Sequence, residues 1–97
     1  MKRIANKQKT RHDENLARLA RIEGQIRGIQ RMIAKGEYCV EIITQILAVE
    51  SALKAVRSGI LRKHMNHCVV EALESGSRTK ASRRIDEVLK VLKIAGA

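Results

Sequence analysis

The sequence predicts an all-α fold, with two long helices and one short one in a single domain of 97 residues. Proline, phenylalanine and tryptophan are absent and Tyr38 is the only aromatic residue, so the chain lacks the main helix breaker and nearly all of the large aromatic residues that favour β-sheets. Residues with high helix propensity, such as Ala, Leu, Lys, Arg and Glu, are frequent. Isoleucine, leucine and valine recur every three or four residues, which is the period of an amphipathic helix.

The first predicted helix starts at Asp13 and Glu14 and ends at Gly36, a residue type that commonly stops helices. One of its faces carries an apolar stripe of Leu16, Leu19, Ile22, Ile26, Ile29 and Ile33. The preceding residues 1–12 contain five basic residues and no acidic one. This composition indicates a flexible basic arm that can contact phosphates.

The second predicted helix runs from about Tyr38 to Ser75, and Gly76 stops it. Its apolar stripe has the three-four alternation of helical bundles and consists of Ile42, Ile46, Val49, Leu53, Val56 and Ile60. Ser77 or Thr79 can then cap a third helix. The apolar face of this third helix is Ile85, Val88, Leu89 and Leu92. Because these helices cannot cover their own stripes, we expect a homo-oligomer.

The charge balance indicates a polyanionic partner. Twenty Lys and Arg against ten Asp and Glu give a net charge of +10, which favours binding to nucleic acid through its phosphates. No stretch approaches the roughly 20 apolar residues that span a bilayer, and the basic N-terminus lacks the apolar segment of a signal peptide. We therefore expect a cytoplasmic protein without a membrane partner, in which both cysteines stay reduced.

A candidate metal site lies on the face of the second helix that carries its apolar stripe. It consists of Cys39, His64 and Cys68. His64 and Cys68 are four residues apart, so they share a helix face and lie about 6 Å from each other. Cys39 precedes His64 by 25 residues, which corresponds to about 38 Å along a straight helix. Cys39 therefore cannot complete the site within its own chain. In an antiparallel pair of second helices, it meets the His64 and Cys68 of the neighbouring subunit.

Two thiolates and one imidazole are a soft set of ligands, which suits Cu(I) and can hold Zn(II) with a fourth ligand. The competing interpretation is that the cysteines are small hydrophobic residues and that His64 is solvated. Tyr38 is a candidate hydrogen-bond partner for a ligand imidazole, whereas His12 and His67 are expected to be solvated. No glycine-rich phosphate loop or nucleophile elbow is present, so we do not expect an enzyme.

These motifs resemble a known family. The segment Arg21–Gly28, the pair Tyr38-Cys39 and the spacing His64-x-x-x-Cys68 are similar to the copper-sensing repressor (CsoR) family and its nickel- and formaldehyde-sensing relatives, over residues 14–92. The resemblance implies an antiparallel dimer forming a four-helix bundle, paired into a tetramer. It implies a transcriptional repressor that leaves its operator DNA when Cu(I) binds, so that metal efflux genes are expressed. The implied ligands are Cys39, His64 and Cys68.

The resemblance also implies a DNA-binding surface. It contains Arg18 and Arg21, which match basic positions of the family, and Lys54 and Arg57, which extend them. In one respect the chain departs from the family pattern. Copper sensors have a glutamate on the third helix that supports the ligand histidine, and the nearest positions here are Arg83 and Arg84.

Two alternatives remain open from the sequence. The first is a sensor of the same fold that responds to nickel, zinc or reactive sulfur species. Nickel sensors have histidine at the position of Cys68 and another at that of Lys7, and persulfide sensors lack the histidine at His64, so the residues present favour copper. The second is a basic, nucleoid-type DNA-binding module without a sensing role, whose cysteines are incidental.

Overall fold

A computed structural model of the chain describes residues 10–94, and every regular element in this range is helical. The elements are, in order, a short 3₁₀ turn (Asp13–Asn15), α1 (Leu16–Ala34), α2 (Cys39–Lys63), a π-helical turn (His64–Val69), α3 (Val70–Glu74) and α4 (Arg78–Ile94). The prediction of an all-α fold is confirmed. The second predicted helix corresponds to α2, the π-helical turn and α3 taken together.

Glycine ends the helices where the sequence predicted, because it can adopt the positive φ that other residues avoid. The φ angles of Gly36 and Gly76 are 68° and 85°. After α1, the Gly36 N–H donates to the Ile33 carbonyl and the Glu37 N–H to the Met32 carbonyl, both at 3.0 Å. The same pair of hydrogen bonds, at 2.9 and 3.2 Å, closes α3. Both helix ends are therefore Schellman motifs.

Ser77 begins α4 as its N-cap. Its Oγ accepts a hydrogen bond of 3.1 Å from the Lys80 N–H, which satisfies one of the N–H groups left without a partner in the first turn of the helix. Of the two capping residues that the sequence allowed, the structure uses Ser77, and Thr79 lies inside the helix.

The chain forms two compact units, of which one is His12–Ser58. Its core consists of Ile22, Val49 and Val56, with Ile29 and Ala52 packed against them. The predicted stripes thus supply this core, but only in part. Leu16 and Ile33, at the two ends of the α1 stripe, are 64% and 60% exposed.

The other unit contains residues 10–11 and 59–94 of the described chain. Val69, Ala72 and Ala81 form its core, and Ile85 packs against them. Alanine on both α3 and α4 lets these two helices approach closely. Among the described residues, no helix combines the length and the apolar character that a membrane crossing requires.

The predicted basic arm falls mostly on residues 1–9, which lie outside the described residues. Thr10 and Arg11, which the sequence assigned to the arm, make specific contacts. The Thr10 hydroxyl lies 3.4 Å from Cys68 Sγ, and the Arg11 carbonyl accepts a hydrogen bond of 2.6 Å from Lys63 Nζ. The contacts of the described chain therefore begin at Thr10.

The conformation of Gly36 gives a prediction about stability. Replacing Gly36 with alanine should lower the free energy of unfolding by about 1–2 kcal/mol, because the left-handed conformation strains an L-residue. Crowding does not contribute, since nothing lies within 4 Å of the added Cβ. Gly36→Asn should lower the free energy of unfolding less than Gly36→Ala does, because asparagine tolerates this conformation better than alanine. Urea unfolding at one fixed protein concentration measures both, and equal losses in the two variants would contradict the argument.

Candidate metal centre

His64 and Cys68 lie in the π-helical turn His64–Val69, and not in the continuous α-helix that the sequence predicted. In this wider turn, the Val70 N–H donates to the Met65 carbonyl, five residues back. The prediction failed here because an apolar period of three and four residues does not report a single wide turn. Such turns are rare and occur frequently at functional sites. Both predicted ligands thus emerge from the same turn.

His64 is partly buried and is held by α4. Its Nε2 donates a hydrogen bond of 2.9 Å to the backbone carbonyl of Arg84, since a carbonyl oxygen can only accept. In a neutral imidazole with its proton on Nε2, the lone pair is on Nδ1. Metal-binding histidines generally donate their other ring N–H in this way, which fixes the tautomer and the orientation of the ring. Nδ1 is therefore the atom of His64 that can bind a metal.

Cys68 is partly buried and shares a hydrogen bond with Thr10, whose Oγ1 lies 3.4 Å from the Sγ. A threonine hydroxyl can be either the donor or the acceptor of this bond. When the thiol is ionised, the hydroxyl can donate to the thiolate, which is the form of cysteine that binds metals. The contact with Thr10 is therefore compatible with either state of the sulfur.

Cys39 is the first residue of α2 and is exposed. It belongs to the unit His12–Ser58, whereas His64 and Cys68 belong to the other unit. Within residues 10–94, no three side chains of His, Cys, Asp or Glu are grouped so that they could hold a metal ion. The described chain thus brings together two of its three predicted ligands.

Tyr38 precedes α2, and its side chain is 67% exposed. Its backbone carbonyl accepts hydrogen bonds of 3.0 and 3.2 Å from the N–H groups of Glu41 and Ile42. The main chain of Tyr38 therefore helps to start α2. A hydrogen bond from its hydroxyl to a ligand imidazole stays a prediction.

The residues predicted to bind DNA are all exposed and lie on α1 and α2 in the unit His12–Ser58. They are Arg18, Arg21, Lys54 and Arg57. The two members of each pair are three residues apart, so each pair occupies one face of its helix. Exposed cations on helix faces are suited to phosphate contacts.

Comparison with known proteins establishes the family. Residues 11–94 match the family described as metal-sensitive transcriptional repressors. The chain belongs to this family. The predicted repressor class, and the prediction that the chain is not an enzyme, agree with this assignment.

Individual metal-sensitive repressors are similar to most of the chain. The copper-sensing transcriptional repressor CsoR of Bacillus subtilis (strain 168) is 44% identical over 92 residues, covering 95% of this chain and 88% of the relative. The copper-sensing transcriptional repressor RicR of Mycobacterium tuberculosis (strain ATCC 25618 / H37Rv) is 48% identical over 68 residues, covering 69% and 71%. The crystal structure of the copper-sensing repressor CsoR with Cu(I) from Geobacillus thermodenitrificans NG80-2 superposes with a TM-score of 0.74, at 40% identity and 84% coverage of each chain.

Arg84, one of the two positions at which the sequence departs from the resemblance, contacts His64 through its backbone. The sequence has arginine where a glutamate was expected to support the ligand histidine, and the structure gives this contact to the main chain of Arg84. Arg83, the other candidate position, is exposed. Sequence reasoning missed the contact because every residue has a carbonyl, so no residue type reports it. It missed Thr10 because that contact joins residues 58 positions apart.

The two other histidines differ from each other. His67 is exposed, as expected. The expectation that His12 is solvated is wrong, because its Nδ1 is buried and has no hydrogen-bond partner in the described structure. Asn15 is also buried. Its backbone N–H donates a hydrogen bond to the His12 carbonyl. His12 directly precedes the 3₁₀ turn Asp13–Asn15 and is itself partly buried.

The hydrogen bond of His64 predicts its tautomer. In the metal-free protein, the neutral ring of His64 should carry its proton on Nε2, because the Arg84 carbonyl accepts a hydrogen bond there. Long-range ¹H–¹⁵N correlation spectra of the ring distinguish the two tautomers. His67 is the internal control and should show exchange averaging of both. A predominant Nδ1–H form of His64 would contradict the described geometry.

Proposed function

We propose that the chain is a Cu(I)-responsive transcriptional repressor that acts in the cytoplasm. Without metal it binds operator DNA, and Cu(I) binding releases the DNA so that metal efflux genes are expressed. The main support is the π-helical turn, in which Cys68 and an imidazole with an available Nδ1 lie together. The names of the related copper-sensing repressors agree with this choice of metal.

The chemistry of the ligands favours a soft monovalent ion. Cu(I) prefers thiolate and imidazole ligands, whereas Mg²⁺, Ca²⁺ and Mn²⁺ prefer oxygen. We assign Cys68 Sγ and His64 Nδ1 to one Cu(I), with Cys39 of a second subunit as the third ligand. Bound Cu(I) then acts as a covalent link between the two subunits.

The length of α2 supports a site shared between subunits. Its 25 residues extend over about 38 Å at a rise of about 1.5 Å per residue, and Cys39 is at its start. A second copy whose α2 runs antiparallel would bring its own Cys39 to the far end. The exposed apolar side chains of α2 are available for such packing, namely Val40, Ile43, Ile46, Leu47, Leu53 and Ile60. We therefore propose an antiparallel dimer with a four-helix bundle, paired into a tetramer.

Release of DNA follows from linkage between two ligands. A ligand shifts an equilibrium between two arrangements only when it binds one of them better. We propose that Cu(I) favours the arrangement in which its three ligands meet, and that DNA favours another. The coupling must then be reciprocal, so DNA weakens Cu(I) binding by the same factor.

The first prediction concerns DNA release. The metal-free protein should bind operator DNA with an affinity that falls steeply as salt is added, because a net charge of +10 favours phosphate contacts. Cu(I), added anaerobically, should weaken this complex by about 5–150-fold, the usual range of allosteric coupling. Cys68→Ala should bind the DNA and no longer respond. Fluorescence anisotropy of labelled DNA measures both.

Other outcomes of the same titration would favour other functions. If Cu(I) left the affinity for DNA unchanged, a nucleoid-type module would be favoured. If nickel or zinc released the DNA and Cu(I) did not, the chain would be a sensor of another metal.

The second prediction concerns the origin of the ligands. Cys39→Ala and Cys68→Ala homodimers each lack a complete site, so both should lose tight Cu(I) binding. A mixed dimer of the two variants should recover one site, formed by the intact Cys39 of one subunit and the intact His64 and Cys68 of the other. Competition with a Cu(I) chelator gives the stoichiometry. Purified mixed dimers without recovery would exclude a shared antiparallel site.

A further inference from the structure

A cavity of about 240 Å³ opens beside Cys68, within the unit that contains residues 10–11 and 59–94. Its lining includes the Cys68 side chain, the Thr10 hydroxyl and two cationic residues of α4, Lys80 and Arg84. His64 does not line the cavity, although its ring is hydrogen-bonded to the backbone carbonyl of Arg84, which does. The cavity thus borders one of the two candidate ligands in this unit, Cys68.

Lys80 and Arg84 give the cavity its binding chemistry. They are four residues apart on α4, so they occupy the same face of the helix. The Arg84 side chain is only 12% exposed, and its contact with Glu87 is 4.0 Å, which is long for an ion pair. A guanidinium with little access to water interacts more strongly with an anion than an exposed one does. Glu71 also lines the cavity, so a ligand must carry its negative charge on the α4 side.

We propose that this cavity receives a small thiol that carries a carboxylate and delivers Cu(I) to Cys68. The proposal rests on the proposed function, since it names the form in which the ion arrives. Cu(I) has a strong preference for thiolates, and in the presence of small thiols it is bound to them. A cavity beside a ligand cysteine, with two cations opposite, has room for the rest of such a thiol and attracts its carboxylate.

Delivery is an exchange of ligands. The bond between the sulfur of the donor and copper breaks, and a bond between copper and Cys68 Sγ forms. The proton of the Cys68 thiol goes to the departing sulfur, which leaves as a neutral thiol group. Copper stays Cu(I), so no oxidant or reductant is needed. Lys80 and Arg84 hold the carboxylate during the exchange, and neither contacts the ion.

Stopped-flow transfer measures this directly on the full-length protein. The donors are the Cu(I) complexes of mercaptoacetate and of its neutral amide, mercaptoacetamide, which share the thiol and differ in charge. Wild-type protein should accept Cu(I) faster from mercaptoacetate, and added salt should reduce the difference. The double variant Lys80→Gln, Arg84→Gln should slow transfer from mercaptoacetate by about tenfold, a typical effect of electrostatic attraction on association rates. Transfer from the amide should not change.

Two controls separate this proposal from the proposed function. Lys90→Gln removes an exposed charge from the same helix and should leave both rates unchanged. Equilibrium affinity for Cu(I), measured with a competing chelator, should be the same in Lys80→Gln, in Lys90→Gln and in the wild type. Without copper, mercaptoacetate should shift the backbone amide resonances of Lys80 and Arg84, and mercaptoacetamide should not.

Different results would contradict the delivery site and the proposed function. Equal rates from the two donors in wild-type protein, with tight Cu(I) binding intact, would overturn the delivery site alone. Absence of tight Cu(I) binding in the wild type would overturn the proposed function. If the double variant fails to fold, the test is the comparison of the two donors in wild-type protein, together with the salt dependence of the two rates.

Discussion

The hydrogen bond from His64 Nε2 to the Arg84 carbonyl connects the π-helical turn to α4, and the candidate site depends on it. It selects the tautomer that leaves Nδ1 available to a metal. The core of Val69, Ala72 and Ala81 also joins the π-helical turn and α3 to α4. Because the acceptor belongs to the main chain, the side chain at position 84 is not needed for this contact. The contact is therefore compatible with an arginine at this position.

A second constraint is the distance between Cys39 and the π-helical turn along the chain. Cys39 begins α2 and His64 follows its last residue, so in the proposed site the third ligand comes from a second subunit. The exposed apolar residues of α2 are the surface that we propose for that subunit, because burying apolar side chains favours association. We propose that the metal binds best to one arrangement of the two chains. A DNA duplex contacts the same two chains. One equilibrium can therefore link the two ligands.

The sequence predicted the parts of the fold that depend on local chemistry. The three-four period located the helices, and Gly36 and Gly76 marked their ends because a positive φ favours glycine. The sequence offered two residues, Ser77 and Thr79, as the N-cap of α4, and Ser77 is the one that caps the helix. The π-helical turn was not predictable, because the segment His64–Val69 contains no glycine or proline to mark a break. The contacts of Thr10 and of the Arg84 carbonyl were missed because they depend on tertiary packing.

X-ray absorption at the copper edge tests the central claim most directly, because it reports the atoms bound to the ion. For the Cu(I)-loaded protein the account predicts three-coordinate copper with two sulfur ligands and one imidazole nitrogen. Cys39→Ala and Cys68→Ala should each remove one sulfur, and His64→Ala should remove the nitrogen. Two-coordinate copper bound by sulfur alone, with a spectrum that His64→Ala leaves unchanged, would contradict the account.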